Sequence, residues 1–493
     1  MNISQFFTIN HIFSLVYLFA LIFTIFRILL DTHSTSKTLA YLLLVIVLPI
    51  LGMIFYYSVG INYRHKRHNH RAVSVQKDLD RDYFQVIPNN TNHLLEKYKE
   101  EFGHYKGLVK FQLNMMGEFL SENSFELLVN GEEKFPEVLK SLEQAEHFIH
   151  MEYYAWENDI RGNQIKEILI NKSKAGLSIK VLYDDYASRG IHKNIVKELK
   201  ENGVAIYPNI KVKLRQFANR LNHRDHRKVI IIDGKIGFLG GINISDRYDN
   251  SIDTGLYWRD THVKFSGPLV HSLQRHFIVS WNMAQEKKIE FQKELFPESE
   301  QIDGVGTKGL AQLMSGGPVY PQSNIMMTYF KSFTIARRSL YITNPYFIPN
   351  EGILNSLKQA ALSGVDVRIL LPEKSDSAIV GAASKFYFAE LLEAGVRIFH
   401  YKKGFIHAKT VVADQKISII GTANMDIRSF DLNFELMSVI YGSEFGLKME
   451  NMFFKDLQES VEMTKEQFHN LSTFKKLTFA TARLISSFCK GVP

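Results

Sequence analysis

Two stretches of the chain follow one pattern: HRKVIIIDGKIGFLGGIN at residues 226–243 and HAKTVVADQKISIIGTAN at residues 407–424. In both, a histidine, a lysine, an aspartate, a glycine and an asparagine recur at the spacing H-x-K-x4-D-x6-G-x2-N. Five polar and glycine positions at identical spacing indicate an internal duplication rather than a coincidence. The chain of 493 residues is long enough for two such domains and an additional segment.

The duplication extends to the residues before each motif. AGLSIKVL at residues 175–182 matches SGVDVRIL at residues 363–370. Short β-branched runs, among them Phe148–Tyr154 and Ser339–Thr343, alternate with helical runs, which is the pattern of an α/β fold. We therefore expect two homologous α/β domains, the first over residues 111–300 and the second over residues 301–493.

The first motif suggests an anion-binding site. Residues two apart on a strand point to the same face, so His226 and Lys228 are predicted to project together. The run Val229–Ile232 that follows is wholly apolar, as in a strand that is buried on both faces. A single such histidine is usually an ordinary core or surface residue. Its recurrence beside a lysine favours a phosphate-like ligand, because burying this pair without an anion would be costly.

Two copies of the motif at one site would suit phosphodiester chemistry. One imidazole can attack phosphorus while the other protonates the leaving oxygen, and the lysines with Asn243 and Asn424 can stabilise charge on the phosphate oxygens. A reactive imidazole needs an acceptor for its second nitrogen, and Asp260 and Glu435 are candidates for that role. The lysines supply positive charge and the motif lacks a carboxylate cluster, so no metal or other cofactor is expected. The single cysteine, Cys489, excludes an internal disulfide.

The first 62 residues contain two long apolar runs, at residues 12–30 and 39–59. Each is close to the ~20 residues that cross a bilayer as a helix, and a short polar loop joins them, so they predict a transmembrane hairpin. A cleaved signal peptide is disfavoured, because no basic residue precedes the first run and no small-x-small site precedes Asp31. A pair of buried core helices is the remaining alternative.

The charges around these runs predict their orientation. The loop between the runs carries only Lys37, whereas a basic linker over residues 63–110 follows the second run. Because positive flanks stay in the cytoplasm, we expect a multi-pass membrane protein with cytoplasmic catalytic domains. A net charge of +8 also suits an anionic partner. The basic residues that decide the orientation are Arg64, Lys66, Arg67 and Arg71.

The C-terminal stretch TFKKLTFATARLISSFCK, residues 473–490, is amphipathic as a helix. Phe474, Leu477, Leu484 and Phe488 fall on one side of it, and most of its basic residues fall elsewhere. The pattern fits an interfacial helix that rests on lipid, and it fits equally well a helix packed on the protein core.

The duplicated motif resembles that of the phospholipase D superfamily. Within it, the sequences YWRDTHV from residue 257, NPYFIPN from residue 344 and FIHAKTVVADQKISIIGTANMDIRSFDLNFEL from residue 405 are similar to those of bacterial cardiolipin synthases. The apolar N-terminal pair is similar as well, so the resemblance covers nearly the whole chain. It implies a bilobal α/β fold with pseudo-twofold symmetry and one active site at the interface, in a protein of the bacterial cell membrane.

The resemblance also implies an activity. In that family two phosphatidylglycerol molecules give cardiolipin and glycerol through a phosphatidyl-histidine. It implies that His226 is the nucleophile and that His407 is first the acid and then the base, with Lys228 and Lys409 beside them. The motif also includes Asp233 and Asp414, which are expected to orient rather than react. Serine often follows the motif glycine in the superfamily, whereas this chain has Gly241 and Thr422 there, which leaves a hydroxyl role at the first position in doubt.

Three other functions fit parts of the sequence. A phospholipase D-type hydrolase would use the same residues with water as the acceptor. A membrane-tethered nuclease is disfavoured by the apolar hairpin, the modest net charge and the lack of an aromatic–basic stacking platform, so no nucleic acid partner is expected. A non-catalytic scaffold is disfavoured by two intact motifs. The preferred lipid, the acceptor and the oligomeric state stay open.

Overall fold

The structure is a computed structural model that describes residues 3–32, 35–57, 68–209, 224–298 and 306–486. These residues fall into a small N-terminal unit that ends near His70 and a large unit that begins at Arg71 and contains both motifs. The predicted basic linker lies partly outside the described residues, since Arg64, Lys66 and Arg67 belong to the undescribed segment 58–67.

The small unit is helical: α1 spans Ile3–Asp31, α2 spans Thr35–Val47 and α3 spans Pro49–Phe55. Within α1, residues 11–31 are long and apolar enough to cross a membrane. Side chains such as Phe13 and Phe19 are at least 70% exposed, which argues against the core-helix alternative.

The second apolar run does not form one continuous helix. It breaks at Leu48, whose φ of −128° and ψ of 70° are not helical, because a proline follows it and disfavours the helical conformation of the preceding residue. The predicted hairpin is therefore shown only in part: its first helix has spanning length, and its second run is divided.

The large unit is an α/β fold built on one wide mixed sheet, as the alternating pattern predicted. Its helices are α4 His68–Val86, α5 Thr91–Lys97, α6 Lys99–Phe102, α7 Lys106–Met116, α8 Asn130–Glu143, α9 Ile160–Lys174, α10 Ile195–Glu201, α11 Leu269–Ala284, α12 Asn324–Ile335, α13 Glu351–Leu362, α14 Ala378–Lys385, α15 Phe388–Glu393, α16 Ile427–Asp431, α17 Ser443–Gln458, α18 Lys465–His469 and α19 Thr473–Ser486. Its strands are β1 Ser121–Val129, β2 Phe148–Tyr153, β3 Ser178–Tyr183, β4 Ala205–Pro208, β5 Lys228–Ile232, β6 Ile236–Gly240, β7 Trp258–Arg259, β8 Thr261–Ser266, β9 Thr307–Gly316, β10 Ser339–Thr343, β11 Phe347–Ile348, β12 Asp366–Pro372, β13 Arg397–Tyr401, β14 Phe405–Ile406, β15 Thr410–Ala413, β16 Ile417–Gly421, β17 Met425–Asp426, β18 Glu435–Tyr441 and β19 Ser460–Met463.

The order of strands in the main sheet displays the duplication. Outward from its centre, one half runs β1-β8-β6-β5-β2-β3-β4 and the other runs β9-β18-β16-β15-β10-β12-β13, with β19 added at the far edge. The halves join where β1 pairs antiparallel with β9. The two-domain α/β architecture with pseudo-twofold symmetry is thus confirmed. The boundary between residues 300 and 301 stays a prediction, because the sheet is continuous and residues 299–305 are not described.

The motif strands are buried on both faces. Val229 and Ile231 of β5 belong to one apolar cluster, whereas Ile230 and Ile232 belong to another on the opposite side of the sheet. Alternating side chains therefore enter two cores, which explains the uninterrupted apolar run in the sequence. The strand is held rigidly, and so is the His-x-Lys segment at its start.

The motif aspartates lie at the far end of these strands from the histidines. Asp233 adopts the left-handed conformation, with φ of 53°, and its carboxylate accepts 2.8 Å hydrogen bonds from the backbone N–H groups of Glu146, His147 and Phe148. Because β5 spans five residues at about 3.3 Å each, this carboxylate is far from His226. It ties the end of β5 to the start of β2.

Asp414 repeats this arrangement in the second half. Its φ is 54°, and its carboxylate accepts hydrogen bonds of 2.7–2.8 Å from the N–H groups of Arg337, Arg338 and Ser339. The hydroxyl of Tyr105 donates a further hydrogen bond to it. The contacts of both aspartates are those of residues that fix the backbone.

These contacts predict the effect of replacing the aspartates. Asp414→Ala should destabilise the protein by about 3 kcal/mol, because three backbone N–H groups lose their acceptor. The measurement is the midpoint of thermal unfolding of the detergent-solubilised protein. Asp414→Asn is the matched control: it keeps one acceptor and tolerates the left-handed conformation, so its loss should be smaller. Unchanged stability together with lost turnover would instead assign the carboxylate a chemical role.

Candidate active site

Parallel backbone pairing between the two halves positions both histidines, through an isolated bridge at Asp225 and Phe434 and through a pair of short strands. The N–H of His226 donates to the carbonyl of Phe434 at 3.0 Å, and the N–H of Phe434 donates to Arg224 at 2.8 Å. In the other half, β14 pairs in parallel with β7, and the N–H of His407 donates to the carbonyl of Arg259 at 2.7 Å. Each histidine therefore starts its motif against a segment of the opposite half.

That pairing gives each imidazole a carboxylate from the opposite half. The distance between His226 Nδ1 and Glu435 Oε2 is 2.9 Å, and that between His407 Nδ1 and Asp260 Oδ2 is 2.7 Å. Both carboxylates are fully buried. A carboxylate on Nδ1 favours the tautomer with its proton there, which leaves the Nε2 lone pair of each ring for a substrate. The two candidate acceptors are thus brought to the histidines, and neither half has a complete pair without the other.

The motif lysines are buried beside the histidines. The ammonium group of Lys228 donates to the carbonyl of His226 at 2.7 Å, and that of Lys409 donates to the carbonyl of His407 at 2.5 Å. Burial lowers the pKa of Lys228 to about 7 and that of Lys409 to about 8, against the attraction of Glu435 and Asp260. A bound phosphate anion would stabilise the charged form of both lysines.

Burial favours the neutral form of both imidazoles. Burial lowers the pKa of His407 to about 3, Lys409 adds to the effect, and Asp260 opposes it. Burial also lowers the pKa of His226, against the opposing attraction of Glu435. For Glu435 burial acts the other way, but His226 and Lys228 outweigh it and hold the pKa of the carboxyl below its usual value. Nucleophilic attack needs a neutral ring, and protonation of the partner ring needs a nearby anion.

The two halves differ at the residue after the motif glycine. Thr422 donates its hydroxyl to Glu435 Oε2 at 2.6 Å. At Gly241 a Cβ atom would lie only 2.1 Å from Asp260 Oδ1, so no side chain fits there. The shorter aspartate brings its carboxylate against the backbone, where the longer glutamate leaves room for a hydroxyl. A hydroxyl contact of this kind therefore exists only in the second half.

The asparagines of the motif also differ. Asn243 is committed to protein contacts: its Oδ1 accepts from the N–H of Ala155 at 3.2 Å, and its Nδ2 donates to the hydroxyl of Tyr248 at 2.6 Å. Asn424 has a buried Oδ1 that finds no donor among the described residues. Both amides lie near the histidines in sequence, but their hydrogen bonding no longer follows the twofold symmetry.

Lys134 on α8 is a third buried lysine that the motif analysis missed. It is fully buried, it donates to the carbonyls of Ile242 and Asn243 at 3.4 and 3.3 Å, and burial lowers its pKa to about 7 against the attraction of Asp260. The only sequence signal was a lysine next to Phe135, on the face of α8 that enters the core. The described residues contain no group of three or more metal-ligating side chains placed to hold an ion.

Aromatic rings surround the histidines. The ring centroid of Tyr154 is 4.8 Å from that of His226, and the ammonium of Lys228 lies 5.0 Å from the centre of the same tyrosine ring. His407 is enclosed by four rings, at centroid distances of 5.5–6.5 Å. Three of these rings belong to the short sequences that suggested the family, although their role as a wall was not predicted. The four are Tyr248, Trp258, Tyr346 and Phe405.

Comparison of the chain with models of known protein families identifies its family. A family model described as cardiolipin synthase, PLD-like domain, matches residues 138–281 and 329–457. The chain belongs to this family. A second model, described as phospholipase D-nuclease N-terminal, matches residues 16–60.

Individual relatives extend the likeness over nearly the whole chain. A cardiolipin synthase of Alkalihalophilus pseudofirmus is 38% identical over 96% of this chain and 93% of its own length. Cardiolipin synthase 2 of Bacillus anthracis is 38% identical over 93% of this chain and 88% of its own length. Among solved structures, phosphatidylserine synthase of Haemophilus influenzae has a TM-score of 0.55 and 15% identity, covering 78% of this chain and 97% of that chain. At that identity the likeness shows the fold alone.

The carboxylate–imidazole pairs predict a pH effect. Glu435→Gln removes a negative charge from His226, so the pKa of that imidazole should fall further and its limb of the rate–pH profile should move to lower pH. Turnover should fall by about a hundredfold or more, because an amide N–H that donates to Nδ1 favours the tautomer with its proton on Nε2, which blocks the attacking nitrogen. Thr422→Val is the control, since it removes one hydrogen bond and keeps the carboxylate. An unmoved pH profile in Glu435→Gln would contradict the pairing.

Proposed function

We propose that this protein is a membrane-anchored phosphatidyltransferase that converts two phosphatidylglycerol molecules into cardiolipin and glycerol. One observation carries the proposal: each histidine is hydrogen-bonded to a carboxylate of the other half, so the duplicated chain builds a single site with two imidazoles and two lysines. Membership of the cardiolipin synthase family supports the choice of a lipid substrate.

The first half-reaction transfers a phosphatidyl group to the protein. Nε2 of one histidine attacks the phosphorus of phosphatidylglycerol, and the bond from phosphorus to the headgroup glycerol oxygen breaks. The other histidine gives its Nε2 proton to that oxygen, so glycerol leaves and a phosphatidyl-histidine remains. Lys228 and Lys409 stabilise the charge on the non-bridging oxygens.

The second half-reaction regenerates the protein. The now neutral acid histidine takes the proton from a free headgroup hydroxyl of a second phosphatidylglycerol, and that oxygen attacks phosphorus as the phosphorus–nitrogen bond breaks. The product holds two phosphatidyl groups on one glycerol. The same imidazole is thus the acid in the first step and the base in the second.

Substrate binding supplies the charge that this cycle needs. Burial lowers the pKa of both imidazoles and so favours their neutral form. The phosphodiester anion raises the pKa of an imidazole beside it and offsets the repulsion from the lysines. The acid is then protonated only when substrate is present.

We assign His226 as the nucleophile and His407 as the acid and base, by analogy with the superfamily. Asp260 and Glu435 serve as orienting groups in either assignment. Asn424, whose carbonyl is not engaged by a described residue, is the better candidate of the two amides for contacting phosphate.

We propose that the catalytic part lies on the cytoplasmic side of a bacterial cell membrane, with both apolar runs crossing it. The support is the spanning length of α1 together with the basic residues that follow the second run. Three of those residues, Arg64, Lys66 and Arg67, lie outside the described part of the chain.

The activity is tested with purified protein and phosphatidylglycerol vesicles, by quantifying cardiolipin, phosphatidic acid and free glycerol. Cardiolipin and glycerol should appear in equal amounts. His226→Ala and His407→Ala should each abolish turnover, because both histidines belong to one site. Phosphatidic acid as the main product would favour the hydrolase, and near-half activity in a single variant would refute the single site.

Rapid quenching with labelled phosphatidylglycerol then identifies the nucleophile. His407→Asn protein should still trap label on residue 226, since loss of the acid slows attack without preventing it, whereas His226→Asn protein should trap none. Label on residue 407 would exchange the roles. No label in any variant, with kinetics that require a ternary complex, would refute the covalent route.

The orientation is tested by adding protease to right-side-out cells. The catalytic part should stay intact until the cells are lysed, because the basic flank keeps it inside. Digestion after lysis is the control that the part is cleavable. Cleavage before lysis would reverse the orientation.

A further inference from the structure

Helix α19 presents an apolar stripe to solvent. Phe474, Leu477, Leu484 and Ile485 are between 46% and 78% exposed. At 3.6 residues per turn these positions lie on one side of the helix, on either side of the exposed Thr481. Four large apolar side chains in one row are more than the scattered exposed leucines of an ordinary surface.

The opposite side of α19 is already packed. Ala482 lies in an apolar cluster with Ala383 of α14 and Ile348 of β11. The guanidinium of Arg483 lies 4.1 Å from the ring centre of Phe386, just beyond α14. The two interpretations, a helix packed on the core and a helix that rests on lipid, therefore each describe one side of α19. One side packs on the protein, and the apolar stripe on the other side is exposed. Phe488 lies outside the described residues.

The charge of this helix pair is one-sided. The sequences of α14 and α19 contain four basic residues and no aspartate or glutamate. Two of these residues, Lys475 and Lys476, are exposed at the start of α19, where their charges complement the anionic headgroups of a bilayer that contains phosphatidylglycerol. The basic residues are Lys385, Lys475, Lys476 and Arg483.

The helix pair lies at the histidine end of the sheet. Tyr346, whose ring centroid is 6.5 Å from that of His407, donates its hydroxyl to Asp376, and α14 begins two residues later. Ile348, which packs against α14 and α19, follows Tyr346 by two residues on the same segment. The packed side of the helix pair is thus connected to the wall of the active site through Ile348 and through Asp376, which precedes α14.

We propose that α14 and α19 form a membrane-contacting surface that rests on an anionic bilayer beside the entrance to the active site. The stripe of α19 enters the boundary between headgroups and acyl chains, and Lys475 and Lys476 lie among the phosphates. The surface holds the entrance at the depth of a phosphatidylglycerol headgroup, so the lipid reaches the histidines without leaving the bilayer completely. This inference rests on the proposed lipid substrate.

The contact is measured on the full-length protein in nanodiscs that contain phosphatidylglycerol. Leu477→Cys in a Cys489→Ser background carries an environment-sensitive fluorophore, which nitroxide-labelled lipids should quench. Leu362→Cys is the matched control: Leu362 is 73% exposed at the end of α13, which leads into β12 where Asp366 pairs with Ser339, at the aspartate end of the sheet. A fluorophore at residue 362 should be quenched by iodide in water and not by the lipid.

The consequence for activity is measured with two forms of the same substrate. Leu477→Glu combined with Leu484→Glu should lower the rate on phosphatidylglycerol vesicles by about tenfold or more, because glutamate side chains, unlike leucines, do not enter the apolar boundary of the bilayer. The rate on a short-chain, water-soluble phosphatidylglycerol should be unchanged, which also verifies that the variant is folded. Leu362→Glu should affect neither rate.

The outcomes separate this inference from the proposed activity. Equal lipid quenching at residues 477 and 362, or equal loss of both rates in the double variant, would overturn the membrane-contacting surface. So would shielding of residue 477 that depends on protein concentration in detergent, since it would indicate a second copy of the chain on the stripe. Wild-type protein that makes no cardiolipin from either substrate would refute the proposed function, while the quenching result would still report on the surface.

Discussion

The exchanged hydrogen bonds between imidazole and carboxylate are the interactions on which the site depends. Each half supplies a histidine to one pair and a carboxylate to the other, at 2.9 Å for His226 with Glu435 and 2.7 Å for His407 with Asp260. Without the opposite half, each imidazole and each carboxylate would lack its hydrogen-bond partner. The chemistry and the association of the halves therefore rely on the same contacts, and the continuous sheet through β1 and β9 keeps those contacts in register.

The buried lysines place a second constraint on the site. Lys228, Lys409 and Lys134 all lie out of water, and burial lowers the pKa of each. Burial, together with repulsion from Lys228 and Lys409, favours the neutral form of both imidazoles until an anion binds. A phosphodiester stabilises the lysines and raises the proton affinity of the acid histidine at once, so the substrate itself prepares the site for catalysis.

Pseudo-symmetry ends where the two halves have different tasks. Thr422 reaches Glu435, whereas Gly241 leaves its space to the carboxylate of Asp260. Among the described residues only the second half carries the pair α14 and α19, so the proposed lipid contact is one-sided. The proposed reaction uses two identical lipids in succession, one as the donor and one as the acceptor. The two sides of the site therefore take part in different steps, which is consistent with their different structures.

The sequence by itself determined the duplication, the α/β class and the residues of both motifs, because spacing along a strand fixes which side chains share a face. It also offered Asp260 and Glu435 as candidate acceptors, but it could not pair them with the histidines, since each partner lies in the opposite half of the chain. Lys134 gave no pattern to detect, because its environment comes from loops distant in sequence. Local periodicity can be read directly from the sequence. Burial, the pKa shifts that it causes and the crossed pairing of histidines with carboxylates arise only once the halves have packed together.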